Sequence, residues 1–373
     1  MIFDLFYELS VPEFAQRSES HVFHETLFEL ELADQLGFNT AWLVEHHFMP
    51  EYSHSSAPDL FLAAASQRTQ QLRLGHGIIP LPYHHPIQVA ERLAMLDILS
   101  NGRVEFGFGR GFSPKEYQCF GADISNSRSM TQEAWEIIQR TFSGEPVNFI
   151  GNHYHIENIE IVPKYQQHPH PPVWSACISP DSIEFAAKFN IGALMGPFKP
   201  WFMIAADIRR YLKAWQTHHS SNASRNYCNN DMTSPPGGHA SPPTPRIAMA
   251  IGLYCLDDAK QARDEAGPGL VWFYRQLIQQ TMPVLKKLYE NYEYYRKLGH
   301  LRYLYQSMLS LSMLEKLGMV IVGDPQHCIK KLTALQQAGV THVLCAMGAG
   351  VMSSQQTRQS MQVFADKVMP HFS

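Results

Sequence analysis

The chain predicts an α/β fold, a (β/α)8 TIM barrel carrying insertions, on three observations. Strand-like and helix-like segments alternate from the first residue, and the alternation continues without the break that separates the halves of an open doubly wound sheet. The apolar run Trp42-Leu43-Val44 ends abruptly in Glu45-His46-His47, which puts a carboxylate and two imidazoles at the carboxyl end of a strand, where barrels build their sites.

The elements follow in order. Ile2 to Tyr7 is strand-like, Glu25 to Leu36 has apolar residues at helical spacing with Gly37 as its stop, and Thr40 to Val44 is the second strand. Pro58 to Arg68 reads as helix, Leu72 to Ile79 as strand, Pro86 to Leu99 as a helix with proline at its start, and Arg103 to Phe108 as strand. A hairpin follows at Val147 to Val162, turning at Gly151-Asn152. Pro172 to Ala176, Ile191 to Met195, Arg246 to Leu256 and Thr341 to Ala346 complete eight barrel strands. Helices are expected at Met130 to Phe142, Asp181 to Phe189, Trp201 to Thr217, Leu270 to Leu317, Pro325 to Gln337 and Ser354 to Lys367.

The chain of 373 residues suits one elaborated barrel domain, residues 1–373, with two interruptions. Residues 218–245 cluster Ser, Asn, Pro and Gly and read as an exposed, low-complexity insertion without chemistry. Residues 267–318 are too long for one barrel helix and read either as a lid over the pocket or as a helical excursion packed on the outside.

A formal charge of −4 with no basic segment argues against nucleic acid as partner and favours a small molecule. Six cysteines without a CxxC, and Asp4 and Glu8 where a signal peptide would be basic and then apolar, predict reduced thiols in the cytoplasm. No apolar run approaches membrane-spanning length. The aromatic and methionine content, 21 Phe, 16 Tyr, 6 Trp and 16 Met, fits an apolar pocket and equally an ordinary core.

Strand alternation allows only one of His46 and His47 to face the barrel mouth, so a paired metal site is not expected, and His84-His85 after the third strand lack the HxH spacing that would change this. Gly107, Gly109 and Gly111 alternate around Arg110 after the fourth strand; their exposed N–H groups and one guanidinium suit a phosphorylated cofactor. Phe112 stands where a dinucleotide fingerprint needs its last glycine, so a Rossmann NAD(P) site is not expected. Ser179-Pro180-Asp181-Ser182 opens a helix and suits either an anion or plain helix capping, and we expect both.

These segments together resemble the bacterial luciferase-like, flavin-dependent monooxygenases, and in particular their luciferase α-subunit type. The resemblance rests on Gly37-Phe38-Asn39-Thr40 through Glu45-His46-His47-Phe48, Leu81-Pro82 with His85-Pro86, Leu96-Asp97 before Gly102-Arg103, Gly109-Arg110-Gly111 running to Phe120-Gly121-Ala122-Asp123 and Asn126-Ser127-Arg128, and later Gly323-Asp324-Pro325 and Val368-Met369-Pro370. It implies FMN, arriving as FMNH2 from a separate flavin reductase, with its phosphate near Arg110, Ser179 and Ser182 and its ring beside the third and fourth strands. It implies a non-proline cis peptide around Gly77-Ile78. It makes His46 the general acid or base of a two-component, flavin hydroperoxide monooxygenase, with Glu45 orienting that histidine, acting on a hydrophobic or carrier-bound carbonyl substrate of secondary metabolism. A homodimer through the helices Pro58 to Arg68 and Pro86 to Leu99 is also implied. The luciferase α subunit has a reactive cysteine where this chain has Gly109, so light emission is not expected. The rivals are an F420-dependent oxidoreductase on the same barrel and a non-catalytic partner subunit.

Overall fold

Alternation along each strand decides what fills the barrel. The computed structural model of the protein describes residues 1–219, 244–291, 309–350 and 352–372. On β1 (Ile2–Tyr7) Phe3 and Leu5 belong to the shell under the helices, while Phe6 joins Trp42 and Val44 in a separate interior cluster. β1 pairs in parallel with β2 (Thr40–Leu43), β2 with β3 (Arg73–His76), and β3 and the short β4 (Ile79–Pro80) with β5 (Val104–Gly109). After the antiparallel hairpin of β6 (Val147–Ile150) and β7 (His155–Ile159), the barrel resumes with β8 (Val173–Ala176), β9 (Gly192–Met195) and β10 (Ile247–Cys255). β12 (His342–Ala346) lies between β10 and β1 and closes the cylinder.

The eight predicted strands are all present, and one further strand of the sheet was not anticipated. Nine-residue β10 outruns four-residue β9, and β11 (Val320–Gly323) pairs with its far half, Gly252 to Cys255. That covers an edge of main-chain groups that would otherwise be unpaired. The third strand was expected to run unbroken from Leu72 to Ile79; it stops at His76, where Gly77 N–H donates to Leu43 O at 2.6 Å, and restarts at Ile79 against Phe108. The cis peptide bonds among the described residues are Val162–Pro163 and His168–Pro169, so the linkage expected to be cis at Gly77–Ile78 is trans.

The helices are α1 (Glu19–Leu36), α2 (Pro58–Ser66), α3 (Pro86–Leu99), α4 (Pro114–Cys119), α5 (Ser127–Thr141), α6 (Pro180–Lys188), α7 (Trp201–His219), α8 (Ala259–Asn291), α9 (Leu311–Lys316), α10 (Pro325–Gln337) and α11 (Ser354–Lys367). Gly37 closes α1 at φ 82°, as its position in the sequence predicts. The low-complexity insertion lies outside the described residues except at its margins, as does the middle of the segment 267–318. What is described of that segment is largely helical. Leu270, Phe273 and Tyr274 of α8 are buried in a second core with Val320 and Val322 of β11.

The barrel floor is polar and paired. Trp42 and Trp174 meet edge to face at 5.7 Å, with their indole N–H groups donating to Asp4 (3.2 Å) and Glu105 (2.6 Å). Gly75 and Gly192 make room for these rings, since a Cβ at either would stand 2.5 and 2.3 Å from indole carbons. A floor sealed this way leaves the opposite, carboxyl-terminal face as the open end.

Candidate active site

At that end a cavity of about 230 Å³ is lined by residues just beyond several strands: Glu8 after β1, His46 after β2, Arg110 and Phe112 after β5, Ser179 after β8 and Phe198 after β9. The sequence-predicted residues Glu45, His46, Gly77, Ile78, Gly109, Arg110, Gly111, Ser179 and Ser182 all lie on its wall. His46 keeps the inward parity of Trp42 and Val44, whereas His47 turns the other way, as alternation requires.

The surroundings of His46 hold two carboxyls that sequence reasoning did not assign to it. Its Nε2 is 3.7 Å from Glu8 Oε2 and its Nδ1 is 3.9 Å from Glu116 Oε1, both beyond hydrogen-bonding distance. Phe112 meets the imidazole edge-on at 5.3 Å and Tyr52 tilts against it at 5.9 Å. Burial therefore dominates, holding the His46 pKa down at about 4 and pushing Glu8 up to about 8. Burial also raises Glu116. At neutral pH the contact joins a neutral imidazole to a protonated Glu8, and no ion pair forms there.

Glu45 does not orient His46. Its Oε1 accepts from His84 Nε2 at 2.6 Å and from His47 Nε2 at 3.2 Å. Burial raises its pKa, but these two hydrogen bonds and the nearby imidazoles outweigh it and keep Glu45 ionised. His84 thus converges on Glu45 rather than on the cavity, and Arg92 braces its far nitrogen at 3.3 Å. Residues two apart on an extended chain share a side, which explains the Glu45–His47 pair.

At the other end of the cavity the polar groups gather around the start of α6. Ser179 accepts from Ser182 N–H at 3.4 Å, while Ser182 Oγ accepts from the N–H groups of Ile178 (3.1 Å) and Ser179 (3.0 Å), a reciprocal capping box. Capping therefore accounts for both hydroxyls, which also line the cavity. Arg110 is exposed at the mouth, and Arg128 at the start of α5 reaches the same rim, where it pairs with Asp181 at 2.5 Å. Gly111 adopts φ 71°, and a Cβ there would collide with the Tyr83 hydroxyl at 2.4 Å; at Gly109 it would press on Ile78 at 2.9 Å. Much of the remaining wall is apolar, with Phe6, Phe185, Leu194, Phe198, Leu277 and Leu344 among its residues.

Several wall residues were missed. Glu8 follows β1 with the parity of Asp4 and Phe6, and the argument that drew attention to His46 applied equally to it. Glu116 could not be found that way, because α4 was not anticipated. Leu277 and Thr281 come from α8, so the long helix both packs on the outer core and walls the cavity.

The barrel and this cavity define a class. The profile of the luciferase-like monooxygenases matches residues 6–342, and the chain belongs to that family. Limonene 1,2-monooxygenase of Rhodococcus erythropolis is 36% identical over 180 residues, 48% of this chain and 46% of that protein. The oxygenase component of the flavin-dependent trigonelline monooxygenase of Acinetobacter baylyi is 31% identical over 184 residues, 49% of this chain and 51% of that protein. The matched stretch thus spans about half the length of these curated relatives. Among solved structures, monooxygenase RslO1 from Streptomyces bottropensis superposes with a TM-score of 0.80 at 25% identity over 100% of both chains. The oxygenating constituent of 3,6-diketocamphane monooxygenase of Pseudomonas putida, solved with FMN, shares the fold at TM-score 0.72 and 18% identity, covering 99% of this chain and 98% of that one. The F420-dependent tetrahydromethanopterin reductase of Methanopyrus kandleri shares it at 0.66 and 18%, covering 100% and 99%.

Proposed function

We propose that the protein is the oxygenase component of a two-component monooxygenase that uses reduced FMN and O2 on a hydrophobic or carrier-bound carbonyl substrate. One observation carries the reading: a single cavity is cationic and hydroxyl-lined at its mouth and walled by aromatic and aliphatic side chains around a neutral, buried imidazole at its other end. The family relationship supports it, and a relative named as an oxygenase component supports a separate reductase.

The residues present fit FMN. Arg110, Arg128, Ser179 and Ser182 would hold the phosphate, with Asp181 engaged by Arg128, and Gly77, Ile78, Gly109 and Gly111 would lie along the ring. Reduced FMN, when bound, supplies the electrons that activate O2 for transfer of one oxygen atom. The chain supplies the rest. Phe6, Phe112, Phe198 and Leu277 exclude water and receive an apolar substrate, and α8 serves as the lid through Leu277 and Thr281. His46 is neutral at physiological pH and its ring nitrogens make no protein hydrogen bond among the described residues, so the imidazole can exchange a proton with the reacting group.

Leu60 on α2 and Met95, Ile98 and Leu99 on α3 are exposed apolar side chains on neighbouring helices, which supports a homodimer through this face. Free thiols at all five described cysteines support a cytoplasmic location. Among the described residues no helix is long and apolar enough to cross a membrane. Incubation with a flavin reductase, NADH and labelled O2 tests the reading across ketones and aldehydes. One labelled oxygen in the product supports it, whereas flavin oxidation without oxygen transfer to any member of the panel counts against it.

A further inference from the structure

Behind Glu8 lies a second, smaller cavity of about 40 Å³, lined by Tyr7, Glu8, Arg17, Thr26, Glu29 and Gly348 among others. Its wall is mostly polar, and its volume accommodates roughly three or four water molecules at 10–15 Å³ of such space each. Glu8 and Phe6 are common to both cavities, so Glu8 forms part of the partition between them. At the other side Arg17, partly exposed and paired with Glu25, brings the small cavity to the protein surface.

Glu8 is itself divided. Oε1 accepts from the Tyr52 hydroxyl at 2.7 Å, while Oε2 is buried without a hydrogen-bond partner and stands 3.7 Å from His46 Nε2. A buried, unpartnered polar oxygen costs stability unless a water or a proton transfer gives it something to do. We propose that Glu8 is a proton relay that passes protons from a water-filled side channel, entered beside Arg17, to His46. This deepens the monooxygenase reading and rests on it.

The step balances without any further reactant. The Glu8 Oε2–H bond breaks as the His46 Nε2–H bond forms, through one bridging water or a small rotation of the carboxyl, because 3.7 Å is too long for direct transfer, and the imidazole stays neutral by giving its Nδ1 proton to the reacting group in the same step. Glu8 then regains its proton from water in the side channel, which draws it from solvent. The titratable groups around the pair are Tyr52 and His46 facing Glu8, Glu116 facing the other imidazole nitrogen, Glu45 and His47 flanking His46 along the chain, and Tyr7, Arg17 and Glu29 on the channel side. Burial keeps Glu8 protonated up to about pH 8, and Glu29 up to about 7, so the donor is loaded at physiological pH and emptied above that range. Glu8 acts on substrate only through His46 and is a positioning and relay residue.

Two variants test this. Glu8→Gln keeps the volume and the Tyr52 hydrogen bond but carries no acidic proton. Gly348→Ala narrows the channel without touching Glu8; its Cβ would meet Thr357 at 3.4 Å, an ordinary contact. The first readout needs no cofactor: the His46 ring proton resonance of the flavin-free protein is followed from pH 5 to 10. An inflection near pH 8 in wild type, lost in Glu8→Gln, is expected. The second readout is turnover with reduced FMN against pH. Glu8→Gln should lose about a hundredfold below pH 8, the scale of a general acid, with formate restoring part of the loss in Glu8→Ala. Gly348→Ala should slow turnover severalfold with flavin affinity unchanged. Absence of the inflection, or a Glu8→Gln pH profile matching wild type, overturns the relay. Failure to bind flavin would instead remove the monooxygenase reading while leaving the titration result intact.

Discussion

Glu45 Oε1 accepts from His84 Nε2 at 2.6 Å, and His47 Nε2 donates to the same oxygen at 3.2 Å. Glu45 is therefore the tie between the loop after β2 and the turn before α3. Glu45→Ala leaves two imidazole N–H groups without their acceptor and should cost about 1.5–3 kcal/mol of stability, the range for hydrogen bonds to a charged group. Urea unfolding checks it. His46→Ala has no protein hydrogen bond to lose and should leave the unfolding midpoint nearly unmoved, so the two adjacent substitutions separate structure from chemistry.

The complementary expectation concerns turnover. His46→Ala should retain flavin binding and lower turnover by about a hundredfold, a middle value for one general acid or base. Steady-state oxygen uptake with excess reduced FMN measures it. Unchanged turnover would exclude the imidazole from the reaction.

The mouth of the cavity makes a different pair of predictions. Arg110→Ala should weaken FMN binding by about 1.5–3 kcal/mol, as for other charged hydrogen bonds, and leave riboflavin affinity unaffected. Ser182→Ala should weaken FMN binding and also destabilise the fold by about 1 kcal/mol, since Ser182 Oγ accepts two backbone N–H groups at the start of α6. Calorimetric titration and thermal melts on both variants separate phosphate binding from capping.

Burial also fixes how stability depends on pH. Asp4 and Glu29 are raised to about 7 and Glu8 to about 8, in each case chiefly by burial, from ordinary values of 3.8 and 4.5. Above pH 6.5 the buried imidazoles of His46 and His342, lowered to about 4, are mostly neutral in folded and unfolded chains and contribute little to the slope. The three carboxyls there keep their protons when folded and lose them when unfolded, so the folded state binds more protons and stability falls as pH rises from 6.5 to about 8. Melting temperatures over that range should decline, and Glu8→Gln should flatten the decline.

The barrel was legible because its strands are short apolar runs spaced by helical periodicity, and parity showed that only one of His46 and His47 could face the cavity, while the family resemblance selected His46. What the residues did not disclose were relations across the fold. Glu45 has no local sign of its bond to His84, 39 residues away. Glu116 sits on α4, a single short helix with no periodicity to read. β11 forms because β10 outlasts β9, a comparison of strand lengths that only the closed sheet makes visible. Glu8 was within reach of the strand-end argument and was read only for its charge.

The proposed function rests on reduced FMN binding in this cavity with its phosphate at Arg110. Anaerobic titration of the protein with reduced FMN, reduced riboflavin and reduced F420, followed by flavin fluorescence or calorimetry, tests it most directly. The account predicts saturable binding of reduced FMN, weaker binding of riboflavin by about the 1.5–3 kcal/mol of a charged hydrogen bond, and loss of that difference in Arg110→Ala. Binding of F420 alone, or no binding of any of the three, would contradict it.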